Sequence, residues 1–160
     1  MTGCTVANVN SAAQQVLSGA KEDIAKAATV AKELGIKRAI PLATAGGFHS
    51  KFMQPAREKL APVLDSITFG VPKFPVLSNV TGKPHASDPG AIKALMLEQV
   101  TGTTNWAADI EAAKALGATR FVEFGPGKVL SGLVKKIDAT LVTANVADLA
   151  TLEATVAALG

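Results

Sequence analysis

Apolar and polar residues alternate over residues 5–10 (Thr-Val-Ala-Asn-Val-Asn) and again over 14–19, on either side of Ser11-Ala12-Ala13. This is the period-two pattern of two adjacent half-buried strands joined by a short turn. The period then changes: Ile24, Ala27, Ala28, Ala31 and Leu34 recur at helical spacing over residues 20–34, and Gly35 follows as a stop. Residues 37–42 predict another strand. A glycine-rich loop, Thr44-Ala45-Gly46-Gly47-Phe48-His49-Ser50, leads into a predicted helix over 53–64 with Pro55 in its first turn, where proline is tolerated. A strand is expected over 75–80, a polar turn over 82–90, and helices over 91–100 and 105–116, separated by Gly102. The chain closes with a strand over 119–124, the tight turn Gly125-Pro126-Gly127, a short helix over 128–137, a strand over 140–144 and a helix over 147–159.

The first of these elements, in the order strand, strand, helix, strand, are what remains of a ferredoxin-like βαββαβ unit once its first strand and helix are removed. The chain is therefore expected to begin in mid-domain, with residues 1–44 a partial ferredoxin-like small subdomain. In residues 45–160 strands alternate with helices, which predicts an α/β arrangement around a largely parallel sheet. There is no internal repeat.

With 160 residues, 48% of them hydrophobic, the chain is long and apolar enough for a buried core. No run approaches the ~20 apolar residues of a membrane helix, and the start MTGCTVANVNS lacks a signal peptide's basic and apolar regions. A soluble, cytoplasmic protein is expected. The single cysteine, Cys4, cannot form an internal disulfide and reads as a small strand residue. The net charge of +3 comes from 16 basic residues scattered among 13 acidic ones, with six Phe, one Trp and no Tyr. Neither a basic footprint nor a stacking platform for nucleic acid is present in that composition.

His49 carries the most chemical information, because a glycine-flanked loop between strand and helix can present an imidazole to a cleft as a general base. On its own such a histidine is more often an ordinary polar loop residue. His85, between Pro84 and Ala86, reads as a solvated loop residue, and no cluster has metal-ligand spacing. Gly125-Pro126-Gly127-Lys128 falls short of a phosphate loop, since the Walker pattern needs four residues between its glycines and Ser or Thr after the lysine, where Val129 stands. None of the seven serines, Ser11, Ser18, Ser50, Ser66, Ser78, Ser87 and Ser131, has glycine two residues away on both sides. The G-x-S-x-G nucleophile elbow is absent from these residues.

Several stretches in order and spacing resemble the malonyl-CoA:acyl-carrier-protein transacylase family. They are Asn8-Val9-Asn10-Ser11 with Gln14 and Ser18-Gly19, Lys37-Arg38-Ala39-Ile40-Pro41-Leu42, Gly47-Phe48-His49-Ser50 and Pro75-Val76-Leu77-Ser78-Asn79-Val80-Thr81. Leu97-Glu98-Gln99-Val100, Asn105-Trp106 and the run from Phe121 through Gly125-Pro126-Gly127-Lys128 to Leu133 complete the set. The likeness covers residues 6–137. It implies the C-terminal portion of such an enzyme, with residues 45–160 forming the C-terminal part of an α/β-hydrolase-like acyltransferase subdomain.

In that family a serine takes malonyl from coenzyme A and passes it to the phosphopantetheine thiol of acyl carrier protein during fatty-acid synthesis. The resemblance makes His49 the catalytic base, oriented by a backbone carbonyl at Gln99. It gives Phe48 the place of an aromatic ring that limits space beside the acyl α-carbon and selects malonyl, or Phe48 serves only packing. Asn10 and Gln14 match a cleft wall where amides could contact pantetheine, or they serve only strand-end hydrogen bonding. Lys128, Lys135 and Lys136 form a basic face for the acidic carrier protein, or are simply solvated. Malonyl-CoA is implied as substrate; no bound cofactor or metal is expected, and no nucleic-acid or membrane partner.

The family's serine elbow, an oxyanion-hole glutamine and a carboxylate-binding arginine have no counterpart here; Arg38, Arg57 and Arg120 match other positions. The isolated chain is expected to be inactive, its partner being the missing N-terminal half of the enzyme. The alternative is a serine-less module that binds carrier protein or coenzyme A.

Overall fold

The structure, a computed structural model, describes residues 3–159. Strands β1 (Thr5–Ser11) and β2 (Gln14–Ser18) form an antiparallel hairpin whose register shifts between Val6 and Asn8 and between Val9 and Ser11. The helix α1 (Lys21–Glu33) follows and ends at Gly35, whose φ of 77° is open to glycine without strain. A single 3₁₀ turn at Lys51–Met53 runs into α2 (Gln54–Asp65), with proline in its first turn as expected. Strands β3 (Leu77–Ser78) and β4 (Lys83–Pro84) are two-residue rungs of an antiparallel pair. Then come α3 (Pro89–Thr101), α4 (Trp106–Ala115), β5 (Arg120–Phe124), α5 (Val129–Ile137), β6 (Val142–Val146) and α6 (Leu149–Leu159).

The β5–α5–β6 crossover is a βαβ unit, with β5 and β6 in parallel register from Arg120 beside Val142 to Phe124 beside Val146. The core gathers there: Ile110 of α4, Val134 of α5 and Leu141 are buried together, with Trp106, Phe121 and Ile137 packed around them. The hairpin is joined to this part. Thr104 donates its N–H to Ala7 O at 2.8 Å and accepts from Val9 N–H at 2.9 Å, so the segment between α3 and α4 runs beside β1 as a parallel bridge.

Two expectations need correction. Residues 37–42 form no strand; they are exposed, with Ile40 and Leu42 each at 61%. A strand exists only when paired, Pro41 has no N–H to give to a ladder, and none of the described strands pairs with this segment. The parallel sheet is two strands wide among the described residues rather than extensive. No helix among these residues is long and apolar enough to cross a membrane.

Candidate active site

His49 stands where the glycine-rich loop turns into α2, and local chemistry fixes that turn. Ser50, 1% exposed, donates its hydroxyl to Gly47 O and accepts from Phe52 N–H, capping the 3₁₀ turn that follows. A Cβ at Gly47 would lie 2.9 Å from the Phe52 ring and 3.2 Å from Ser50 Oγ, so a larger residue there would have to displace the Phe52 side chain. Between these constraints His49 adopts φ 56°, the only positive φ at a non-glycine position among the described residues. Left-handed backbone at such a residue persists only where its surroundings over-determine it, and such residues concentrate at functional sites.

Gln99 meets the imidazole from the last turn of α3. Its carbonyl is among the final four of the helix, which have no intrahelical donor, and it lies 3.1 Å from His49 Nδ1. A carbonyl only accepts, so Nδ1 carries the ring proton and Nε2 presents its lone pair. The Thr104 hydroxyl lies 3.3 Å from Nε2, and the Gln99 side-chain amide donates to Thr104 Oγ1 at 3.1 Å. Gln99 Oε1 is buried without a partner among the described residues.

The predicted residues fall into separate groups. His49 and Gln99 come together, and Phe48 is adjacent, 47% exposed. Gln14 instead accepts from Lys136 Nζ at 2.9 Å. That pair lines a cleft of about 550 Å³ with Ser11, Ala107, Glu111 and Ile137, between the hairpin and helices α4 and α5; His49 and Gln99 are not among its lining residues. Asn10 is half-buried on β1. Lys128 precedes the first residue of α5 while Lys135 and Lys136 occupy its last turn, so the three lysines bracket the helix. Lys135 is engaged with Ala139 O at 3.1 Å.

His85 differs from its reading as a solvated loop residue. It is half-buried, its backbone N–H donates to Val76 O at 2.8 Å, and its ring lines a 240 Å³ cavity that also borders Gln99. The β3–β4 pair turns only Gly82 and His85 away from solvent, while Lys83, Pro84 and residues 86–90 stay exposed, which composition alone does not reveal. Thr104 escaped sequence reasoning as well, because a threonine between helices carries no pattern. Asp109 left a signal that could have been read: it shares the helical stripe of Trp106, Ile110 and Ala113 and is 3% exposed. Both its oxygens lack partners among the described residues, and burial pushes its carboxyl up to about 6. Among the described residues no group of His, Cys, Asp and Glu could hold a metal ion.

No family model matches the chain. Its fold is that of the acyl-carrier-protein S-malonyltransferases: it superposes on the enzyme of that name from Burkholderia pseudomallei with TM-score 0.90 and 40% identity, over 96% of this chain and 50% of that one. A solved malonyl-transacylase in complex with a type II PKS acyl-carrier protein gives TM-score 0.91 and 38% identity, over 97% of this chain and 50% of that one. In sequence, the chain is 43% identical to the malonyl CoA-acyl carrier protein transacylase of Bacillus subtilis over 148 residues, 92% of this chain and 46% of that protein. The chain is thus a homologue of the malonyl CoA-acyl carrier protein transacylases, which are transferases. It spans about half the length of the curated relatives it matches, an extent that fits a C-terminal portion of such a protein.

Proposed function

We propose that this chain is the C-terminal portion of a malonyl-CoA:acyl-carrier-protein transacylase of fatty-acid synthesis, with His49 as the general base. The observation that carries the reading is Nδ1 of His49 at 3.1 Å from the Gln99 carbonyl, which leaves Nε2 unprotonated. A serine supplied by polypeptide beyond these residues gives its proton to Nε2 as its oxygen attacks the malonyl thioester carbon. The C–S bond breaks, and the imidazolium returns the proton to the departing coenzyme A sulfur. The carrier-protein thiol then attacks the malonyl-serine ester by the same steps in reverse, giving its proton to Nε2, and the proton returns to the serine oxygen.

A neutral carbonyl stabilises the imidazolium less than a buried carboxylate does, but two features make that sufficient. The leaving group is a thiolate, and the C-terminal end of α3 presents partial negative charge worth about 0.3–1 kcal/mol to a nearby cation. Phe48, beside the base, limits room at the acyl α-carbon and favours malonyl. Asn10 and Gln14 contact the pantetheine arm, and Lys128, Lys135 and Lys136 face the acidic carrier protein. In this reading residues 1–44 are the partial ferredoxin-like subdomain and 45–160 the α/β acyltransferase part.

The test is a malonyl-transfer assay with this chain and a polypeptide carrying a relative's serine elbow. The chain alone is expected to give no transfer. The mixture should be active, and His49→Ala should lower its rate by about 10²–10⁴-fold, the usual contribution of a general base. Equal rates for His49→Ala and wild type would reject the mechanism. Saturable binding of coenzyme A or carrier protein, with no transfer in any mixture, would favour the binding-module alternative.

A further inference from the structure

The hydrogen bonds around His49 close on themselves. Gln99 O accepts from Nδ1–H, so in the neutral ring Nε2 has a lone pair and no proton. The Thr104 hydroxyl, 3.3 Å away, must therefore donate to Nε2, and Thr104 Oγ1 accepts in turn from the Gln99 amide N–H at 3.1 Å. The loop begins at the side chain of Gln99 and ends at its backbone. The amide nitrogen also approaches Nδ1 to 3.3 Å, but with Nδ1 protonated these are two donors side by side, and no bond forms between them. Thr104 is anchored from its other side, since its backbone N–H and C=O bond to Ala7 and Val9 of β1.

We propose that Thr104 is a positioning residue of the acyl-transfer site, its hydroxyl holding the lone pair of His49 Nε2 in the neutral base. This rests on the reading of His49 as the base. An attacking serine hydroxyl must donate to that same lone pair, so Thr104 fixes the direction from which the nucleophile is received and yields its place when the serine arrives. Once the proton has moved, Oγ1 has two lone pairs and can accept Nε2–H while keeping the bond from Gln99. A hydroxyl serves both protonation states where a carbonyl or an amine would serve one.

The test reads the imidazole nitrogens of His49 by NMR in the nitrogen-labelled 160-residue chain, at a pH where the ring is neutral. Wild type is expected to show a protonated Nδ1 and a hydrogen-bonded Nε2. Thr104→Val keeps the side-chain shape without the hydroxyl and should shift the Nε2 resonance to that of a free acceptor, with Nδ1 still protonated. Thr104→Ser should restore the wild-type position. An unchanged Nε2 in Thr104→Val overturns the proposal, as does a serine variant that behaves like valine. If valine disrupts the fold, Thr104→Ala is read by the same criterion. The readout does not depend on turnover. Loss of transfer in His49→Ala with an unmoved Nε2 in Thr104→Val rejects Thr104 and keeps the base. Normal transfer in His49→Ala with a shifted Nε2 rejects the base and keeps the hydrogen bond.

Discussion

Asp109 sets a cost that a single substitution should expose. Its carboxyl is 3% exposed, has no hydrogen-bond partner among the described residues, and is pushed from 3.8 up to about 6 because burial disfavours the charged form. The folded state therefore binds the proton more tightly than the unfolded chain. Stability is highest below the unfolded value and falls as pH rises from about 4 to about 6, where the buried group ionises. A displacement from 3.8 to about 6 corresponds to at most about 3 kcal/mol, and residual hydration of the carboxylate lowers the expected effect to about 1–2 kcal/mol. Asp109→Asn should stabilise the chain by that amount at pH 7 and by little near pH 4, as measured by urea unfolding at both pH values. An equal effect at the two would show that Asp109 is hydrated or paired. At this scale ordered similarity paired His49 with the Gln99 carbonyl, and the two lie 3.1 Å apart, because a chain of matched positions constrains what a lone histidine does not. It did not disclose the positive φ of His49 or the Thr104 hydroxyl, which arise from contacts among segments far apart in the chain.

Elements whose burial is local were legible. Helices α3, α4 and α5 lie within a few residues of their predicted bounds, each delimited by glycine, proline or a polar turn. The strand expected over 37–42 was not, because its pairing depends on a neighbour that no local pattern supplies. Helix α5 shows how one residue joins two elements. Glu123 on β5 accepts from the N–H groups of Leu130 and Ser131 at 3.1 and 2.8 Å, satisfying two donors in the first turn. The backbone N–H of Ser131 holds the Glu123 carboxyl below its usual range, partly opposed by desolvation and aided by the Ser131 hydroxyl and the Leu130 and Val129 amides. A depressed carboxylate stabilises the fold above its unfolded pKa, and the benefit is lost as pH falls through the folded one. Glu123→Ala should therefore accelerate hydrogen exchange at the Leu130 and Ser131 amides near neutrality while leaving the centre of α4 protected. Unchanged exchange at those two amides would mean the cap contributes nothing. At the other cap, Ser50→Ala should lower stability by about 1 kcal/mol in denaturant unfolding, since Phe52 N–H loses the acceptor that the buried Ser50 hydroxyl provides.

The molecule as a whole carries more apolar surface than its small core covers. Phe124 is 76% exposed and Phe74 72%, and Val71, Val76, Val129, Val142 and Leu149 are exposed as well. Parallel strands are ordinarily covered on both faces, yet Phe124 and Val142, at opposite ends of the β5–β6 pair, lie open. Covering one phenylalanine is worth about 1.5–3 kcal/mol, so a few such side chains are enough to drive association. The 16.3 kDa chain should therefore sediment above its monomer mass at micromolar concentration and bind an apolar dye. Phe124→Asp and Phe74→Asp should each shift it towards monomer. The solved relatives that superpose on 96–97% of this chain are twice its length, and on the proposed reading a second polypeptide segment covers the same surface. Addition of the serine-bearing polypeptide should then dissolve the self-association and restore malonyl transfer over the same concentration range, because one surface serves both. If transfer returns while the self-associated state persists, the exposed phenylalanines lie outside the contact that completes the site. If the wild-type chain is monomeric and binds no dye, these side chains cover one another in solution, and the surface has no such role.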